Sequence, residues 1–159
     1  MKPASINEIK QELVTLQPKK LTELCLRLAR YKKENKELLT YLLFEAHNEQ
    51  AFVESINKET DEKFAELPKA TTYLTTKSLR KVLRSITKYS RYMDSKESEM
   101  DMRIHFCTRL KNSGIRIQKD KAIFNLYNRQ LLKLDTLKES VHEDLAFDYK
   151  RQLEQLKIQ

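Results

Sequence analysis

The 159-residue chain carries 31 lysines and arginines against 23 aspartates and glutamates, a formal net charge of +8, and 40% of its residues are apolar. A single glycine, Gly114, and three prolines exclude phosphate-cradling glycine loops, dinucleotide fingerprints and hairpin-rich β architectures. Each of these needs glycine where the backbone turns to positive φ or closely approaches a ligand.

Apolar residues recur at three- and four-residue steps almost throughout, and no segment sustains strand-like alternation. The pattern predicts a single all-α domain over residues 1–159, an elongated multi-helix bundle or short α-solenoid of about six or seven helices. The first helix starts at Ser5, with Glu8 placed for a capping box, and its stripe is Ile6, Ile9, Leu13 and Leu16. Pro18 opens the second, tolerated because a first-turn amide has no helical partner, with Leu21, Leu24, Cys25, Leu28 and Tyr31 as its apolar face. Residues 32–37, Lys-Lys-Glu-Asn-Lys-Glu, form a predicted polar connection.

From Leu38 to Leu67 one stripe runs uninterrupted to Pro68, predicting a helix of about 30 residues, roughly 45 Å at 1.5 Å per residue, with His47-Asn48 or Asn57 as bending points. The next helix covers about Thr71 to Met93 and turns Leu79, Val82, Leu83, Ile86, Tyr89 and Met93 inward. Another follows an Asp94-Ser95 cap, uses Met100, Ile104, Cys107 and Leu110, and ends at Ser113-Gly114, the expected left-handed terminator. A second long stripe, Ile123 to Leu156, predicts a long helix, straight or kinked, over about 120–157, within which Ser140 with Glu143 and Thr136 with Glu139 have capping-box spacing. Residues 19–33 and 77–91 echo each other at a constant offset of 58, most visibly Leu21, Leu24, Cys25, Leu28 and Tyr31 against Leu79, Val82, Leu83, Ile86 and Tyr89. Any two amphipathic helices match partly in this way.

Charge is unevenly distributed: residues 1–66 sum to −1, residues 67–93 to +7 and residues 94–159 to +2. At 100° per residue, Lys77, Arg80, Lys81, Arg84, Lys88 and Arg91 fall within an arc of about 100°, opposite the apolar stripe of their helix. Acidic residues dominate 44–66, so an antiparallel return at Pro68 would let Arg80, Lys81 and Arg91 at the edges pair with them, while Lys77, Arg84 and Lys88 stay exposed. Tyr73 and Tyr92 lie on or beside the stripe as stacking groups.

The three histidines offer little chemistry. Glu139 and His142 have the Glu-x-x-His spacing of di-iron bundles but lack the companion ligands, and Asp101 and His105 at i,i+4 read as a helix-stabilising pair. No catalytic, cofactor-binding or metal-binding residue is assigned. The expectation is therefore a non-enzymatic helical interaction or adaptor protein, self-associating or holding a protein partner. The alternative is sequence-nonspecific binding of nucleic-acid backbone by Lys77, Arg80, Lys81, Arg84, Lys88 and Arg91. With two unclustered cysteines, Cys25 and Cys107, no apolar run near 18 residues and no tryptophan, the expected location is the cytoplasm and a membrane partner is not expected.

Overall fold

A computed structural model describes residues 1–68 and 70–158. Among these the protein is all-α, with eight α-helices and no strand: α1 (Ile6–Val14), α2 (Pro18–Tyr31), α3 (Lys33–Thr40), α4 (Glu49–Ala65), α5 (Thr72–Met93), α6 (Lys96–Asn112), α7 (Lys121–Lys138) and α8 (Glu143–Leu156). They form two compact units, 1–45 and 46–159.

Local signals set many of the boundaries. Ser5 and Glu8 close a reciprocal capping box on α1, with the Ser5 amide donating to Glu8 Oε2 at 2.7 Å. Pro18 begins α2, and Ser95 Oγ accepts from the Ser98 amide at the start of α6. Gly114 stands at φ +78° just after α6, as expected, but Asp94 at the end of α5 is also left-handed, at φ 53°. Aspartate is among the few non-glycine residues that tolerate this region, so glycine content alone undercounts terminators. The expected connection over 32–37 shrinks to Lys32, which is extended, and the rest enters α3.

Both long helices are interrupted. Between α3 and α4 the chain passes through a π turn at Tyr41–Glu45 and a 3₁₀ turn at Ala46–Asn48, and Asn48 Oδ1 caps α4 by accepting from the Ala51 amide at 3.1 Å. This break includes His47-Asn48, one of the two expected bending points. The second interruption lies at residues 139–142, where α7 ends and His142 Nδ1 receives the Asp144 amide at the start of α8. Tertiary contacts require it: Tyr127 Oη donates to the Leu156 carbonyl at 2.6 Å, whereas residues 29 positions apart in one straight helix would lie roughly 44 Å apart. The capping spacings Ser140–Glu143 and Thr136–Glu139 are not the ones used.

In the 46–159 unit the core is organised about α6, which packs on α4, α5, α7 and α8. Met100, Met102, Phe106, Cys107 and Leu110 on this helix are all fully buried. With Ser98, Glu99, Ile104 and Arg103 also buried, more than half of its circumference faces the core, while Thr108 and Asn112 stay exposed on the remaining side, so it lacks the narrow single stripe of a surface helix. Burial pushes the Cys107 thiol up to about 12, with the neighbouring Arg103 charge opposing. Leu79, Val82 and Ile86 of α5 and Ile123, Tyr127, Leu134 and Leu137 of α7 complete the layer.

The 1–45 unit is different. No residue of α1, α2 or α3 is buried, and Tyr41 in the π turn is the buried residue of this unit. The expected core positions Ile6, Ile9, Leu13, Leu21, Leu28 and Tyr31 are therefore exposed. The Asn35 side chain donates to the Leu28 carbonyl at 2.9 Å, linking the end of α2 to α3.

Two tyrosines fasten α8. Tyr127 reaches the Leu156 carbonyl, and Tyr149 Oη donates to Asp101 Oδ1 of α6 at 2.9 Å. Burial first, and then the neighbouring negative charge of Cys107 or Asp101, raises both phenols above the ordinary tyrosine value of 10.0. Burial also raises the Asp101 carboxyl, opposed by the Tyr149 hydrogen bond. A folded-state pKa above the unfolded one contributes stability that is complete below the unfolded value and is lost as pH rises through the folded one. Unfolding free energy should therefore decline progressively above about pH 10. Tyr127→Phe should cost about 1 kcal/mol at neutral pH through its lost hydrogen bond while flattening that alkaline decline, both measurable by urea titration at several pH values.

Candidate functional site

Helix α5 supplies the densest charge of the protein. Lys77, Arg80, Lys81, Arg84 and Arg91 are exposed, and among the described residues none lies within ion-pair distance of a carboxylate. The sequence places Lys88 among the exposed central cations. It is instead half-buried, its ammonium 4.6 Å from the centre of the Tyr89 ring. The edge cations Arg80, Lys81 and Arg91 remain unpaired, because α4 meets α5 through other groups. Phe52 stands edge-on to Tyr89 at 5.7 Å, and Lys63 Nζ donates to Ser85 Oγ at 3.3 Å. Tyr92 is drawn into this aromatic group, 6.0 Å from Tyr89, whereas Tyr73 is 71% exposed.

Part of the basic stripe faces a groove of about 880 Å³ between α5 and α7. Tyr73, Lys77, Arg80, Leu83 and Arg84 line one wall. The other wall brings Lys121, Asn125, Leu126, Arg129 and Gln130 of α7. Five cations thus converge on one concavity whose lining contains no carboxylate. Lys81, Lys88 and Arg91 stand outside it. Lys121 and Arg129 escape a reading confined to α5, although Lys121, Asn125 and Arg129 recur at four-residue steps, the spacing of one helix face.

The two walls are tied together beneath the surface. Arg103, only 5% exposed on α6, donates through Nε to Glu99 Oε1 at 2.8 Å, through Nη1 to Gln130 Oε1 of α7 at 2.6 Å and through Nη2 to Thr87 Oγ1 of α5 at 3.2 Å. A guanidinium has donors only, so the carbonyl oxygen of Gln130 must face it and the amide nitrogen is left for other partners.

A second cavity of about 750 Å³ lies among the end of α4, the Pro68 turn, the end of α6 and the start of α7. Its charge is mixed: Arg109, Arg116 and Lys119 line it beside Asp120, which caps α7 by accepting from the Ala122 and Ile123 amides, and Arg109 is ion-paired with Asp61 at 2.9 Å.

The histidine pairings differ from their sequence spacing. His105 meets Asp61 of α4 at 2.7 Å, while Asp101 receives Tyr149. Glu139 and His142 flank the break between α7 and α8 and no longer share a helix face. Among the described residues no group of three or more histidines, cysteines or acids could hold a metal ion, and no helix is long and apolar enough to cross a membrane. Compared with known protein families, curated proteins and solved structures, the chain matches none of them.

Removing a buried charge's partner leaves the other charge unpaired, at a cost of about 3–5 kcal/mol. Arg103→Ala, which leaves the buried Glu99 with Lys133 at 3.9 Å as its remaining cation and removes the donor to Gln130 and Thr87, should lose unfolding free energy toward the lower end of that range. Arg103→Met combined with Glu99→Leu should recover most of it. Urea denaturation of the two variants beside the wild type measures both outcomes.

Proposed function

We propose that the protein is a non-catalytic helical interaction module that self-associates through residues 1–45. The observation that carries this reading is the unsatisfied apolar surface of that unit. Ile6, Val14, Leu28, Tyr31, Leu42, Leu43 and Phe44 are each more than half exposed; Ile6, Leu28 and Tyr31 belong to the regularly spaced stripes of α1 and α2, and Leu42, Leu43 and Phe44 follow one another in the π turn. Surfaces of this kind mark association sites.

Energetics point the same way. Helices of 9, 14 and 8 residues are marginal in water unless an apolar face is packed. Structures of about this size usually need a disulfide, a metal or a second copy to close a core, and Cys25 is a free thiol. Burial of each leucine or phenylalanine contributes about 1.5–3 kcal/mol. A second copy offers the same surface, and a two-fold arrangement lets each exposed stripe serve as the other's cover. The residues of this unit carry nine cationic and six acidic side chains, a net +3, and repulsion between exposed charges of two copies is screened at physiological ionic strength. A cytoplasmic setting, in keeping with two free cysteines, belongs to the same reading.

Light scattering after size exclusion should give the full chain a mass at least twice its 19.0 kDa monomer. Leu28→Glu with Phe44→Glu should return it to the monomer mass, and circular dichroism should retain the signal of the 46–159 helices. A wild type that stays monomeric at high micromolar concentration overturns the proposal.

A further inference from the structure

The groove between α5 and α7 has a chemistry that self-association through residues 1–45 does not use. Lys77, Arg80 and Arg84 from one wall and Lys121 and Arg129 from the other point their charge at one space with no acid among its lining. Like charges at helical spacing destabilise their own helix by a few tenths of a kcal/mol per pair, so the arrangement opposes folding slightly and is relieved by a bound polyanion. The neutral groups narrow the class. Tyr73 is exposed at the groove, half-buried Leu83 gives it apolar surface with the buried Leu126 beneath, and Asn125 and Gln130 offer amides. Because the Gln130 oxygen is held by Arg103, its amide hydrogens are available to an acceptor in the groove.

An acidic peptide would use Tyr73, the apolar surface and the amides only where its own sequence placed apolar and polar residues to match, whereas every nucleotide carries a phosphate, a base face and base edges together. An anionic bilayer favours a helix that lies in the interface with its apolar face inserted, whereas Leu79, Val82 and Ile86 of α5 are buried in the protein core. A single nucleic-acid strand matches every component: phosphates for the cations, base faces for tyrosine and leucine, base edges or sugars for the amides. We infer that the α5–α7 groove binds single-stranded nucleic acid through its backbone, without sequence selection. The groove follows α5 from Tyr73 to Arg84, roughly 16 Å of helix, and lies wholly within the 46–159 unit.

The test uses the full chain and a fluorescein-labelled single-stranded oligonucleotide of about 16 nucleotides, the upper end of common site sizes, followed by anisotropy. With four or five phosphates neutralised, the logarithm of affinity should fall against the logarithm of salt with a slope of about −3. Arg84→Glu with Arg129→Glu, one change on each wall and both at exposed positions, should weaken binding at least about tenfold and bring the slope to about −1.5. Tyr73→Ala should lose about fivefold or more. Lys81→Glu with Lys150→Glu removes the same charge outside the groove and should stay within a few-fold of wild type. Oligonucleotides of equal length and different sequence should also agree within a few-fold. Circular dichroism checks that each variant remains helical. The Leu28→Glu, Phe44→Glu variant should still bind the oligonucleotide, so loss of self-association and loss of this site are separable. Absence of saturable binding at low salt overturns the inference. An equal loss in the Lys81, Lys150 control does so too, as does binding to phosphatidylserine vesicles in preference to the oligonucleotide.

Discussion

The buried guanidinium of Arg103 constrains the larger unit more than any other single group. Taking a charge from water into the interior costs several kcal/mol, recovered only when its donors are satisfied in good geometry. Here they are satisfied by three helices at once: Glu99 on α6 itself, Thr87 on α5 and Gln130 on α7. A slip of α5 or α7 by one turn displaces its acceptor by about 5.4 Å and leaves the buried charge short of a partner. Apolar contacts alone are less selective, because one leucine in a stripe resembles the next. The hydrogen bonds from this guanidinium to Thr87 and Gln130 therefore act as a register mark on which the spacing of the two groove walls depends.

The broad burial of α6 and the exposure of α5 and α7 are two sides of the same arrangement. Because α6 fills the centre, α5 and α7 lie on it as outer helices, each with one face buried and one free. The free faces of both are rich in lysine and arginine, which cover apolar surface with their stems while the charged ends stay in water. Their convergence at Lys77, Arg80, Arg84, Lys121 and Arg129 is a product of helix placement and not of any local motif.

The two units use the same amphipathic grammar with different outcomes. At the constant offset of 58, Leu21 and Leu28 of α2 correspond to Leu79 and Ile86 of α5. The α5 residues are fully buried, whereas Leu28 is 61% exposed. Periodicity expresses a tendency of one face to leave water, and a neighbour must be present for that tendency to be met. In residues 46–159 the neighbour is α6. Within residues 1–45 there is no comparable central helix.

The local part of the fold is legible in the amino-acid order alone: the all-α class, the helix starts at Ser5, Pro18 and Ser95, the terminator at Gly114, the apolar face of α5 and the cationic stripe opposite it. These depend on interactions among residues within a turn or two of each other, so their causes are contiguous in the chain. The break at residues 139–142 was hidden because the stripe from Ile123 to Leu156 continues through it. A periodic pattern states which residues favour burial, and only the contacts of Tyr127 with Leu156 and Tyr149 with Asp101 require the backbone to turn back. The pairing of His105 with Asp61, the burial of Arg103 and the second wall of the groove were decided by tertiary structure for the same reason. Their contacts reach across 27 and 44 positions of the chain, and the free energy that brings these residues together comes from packing around α6, which no local window contains.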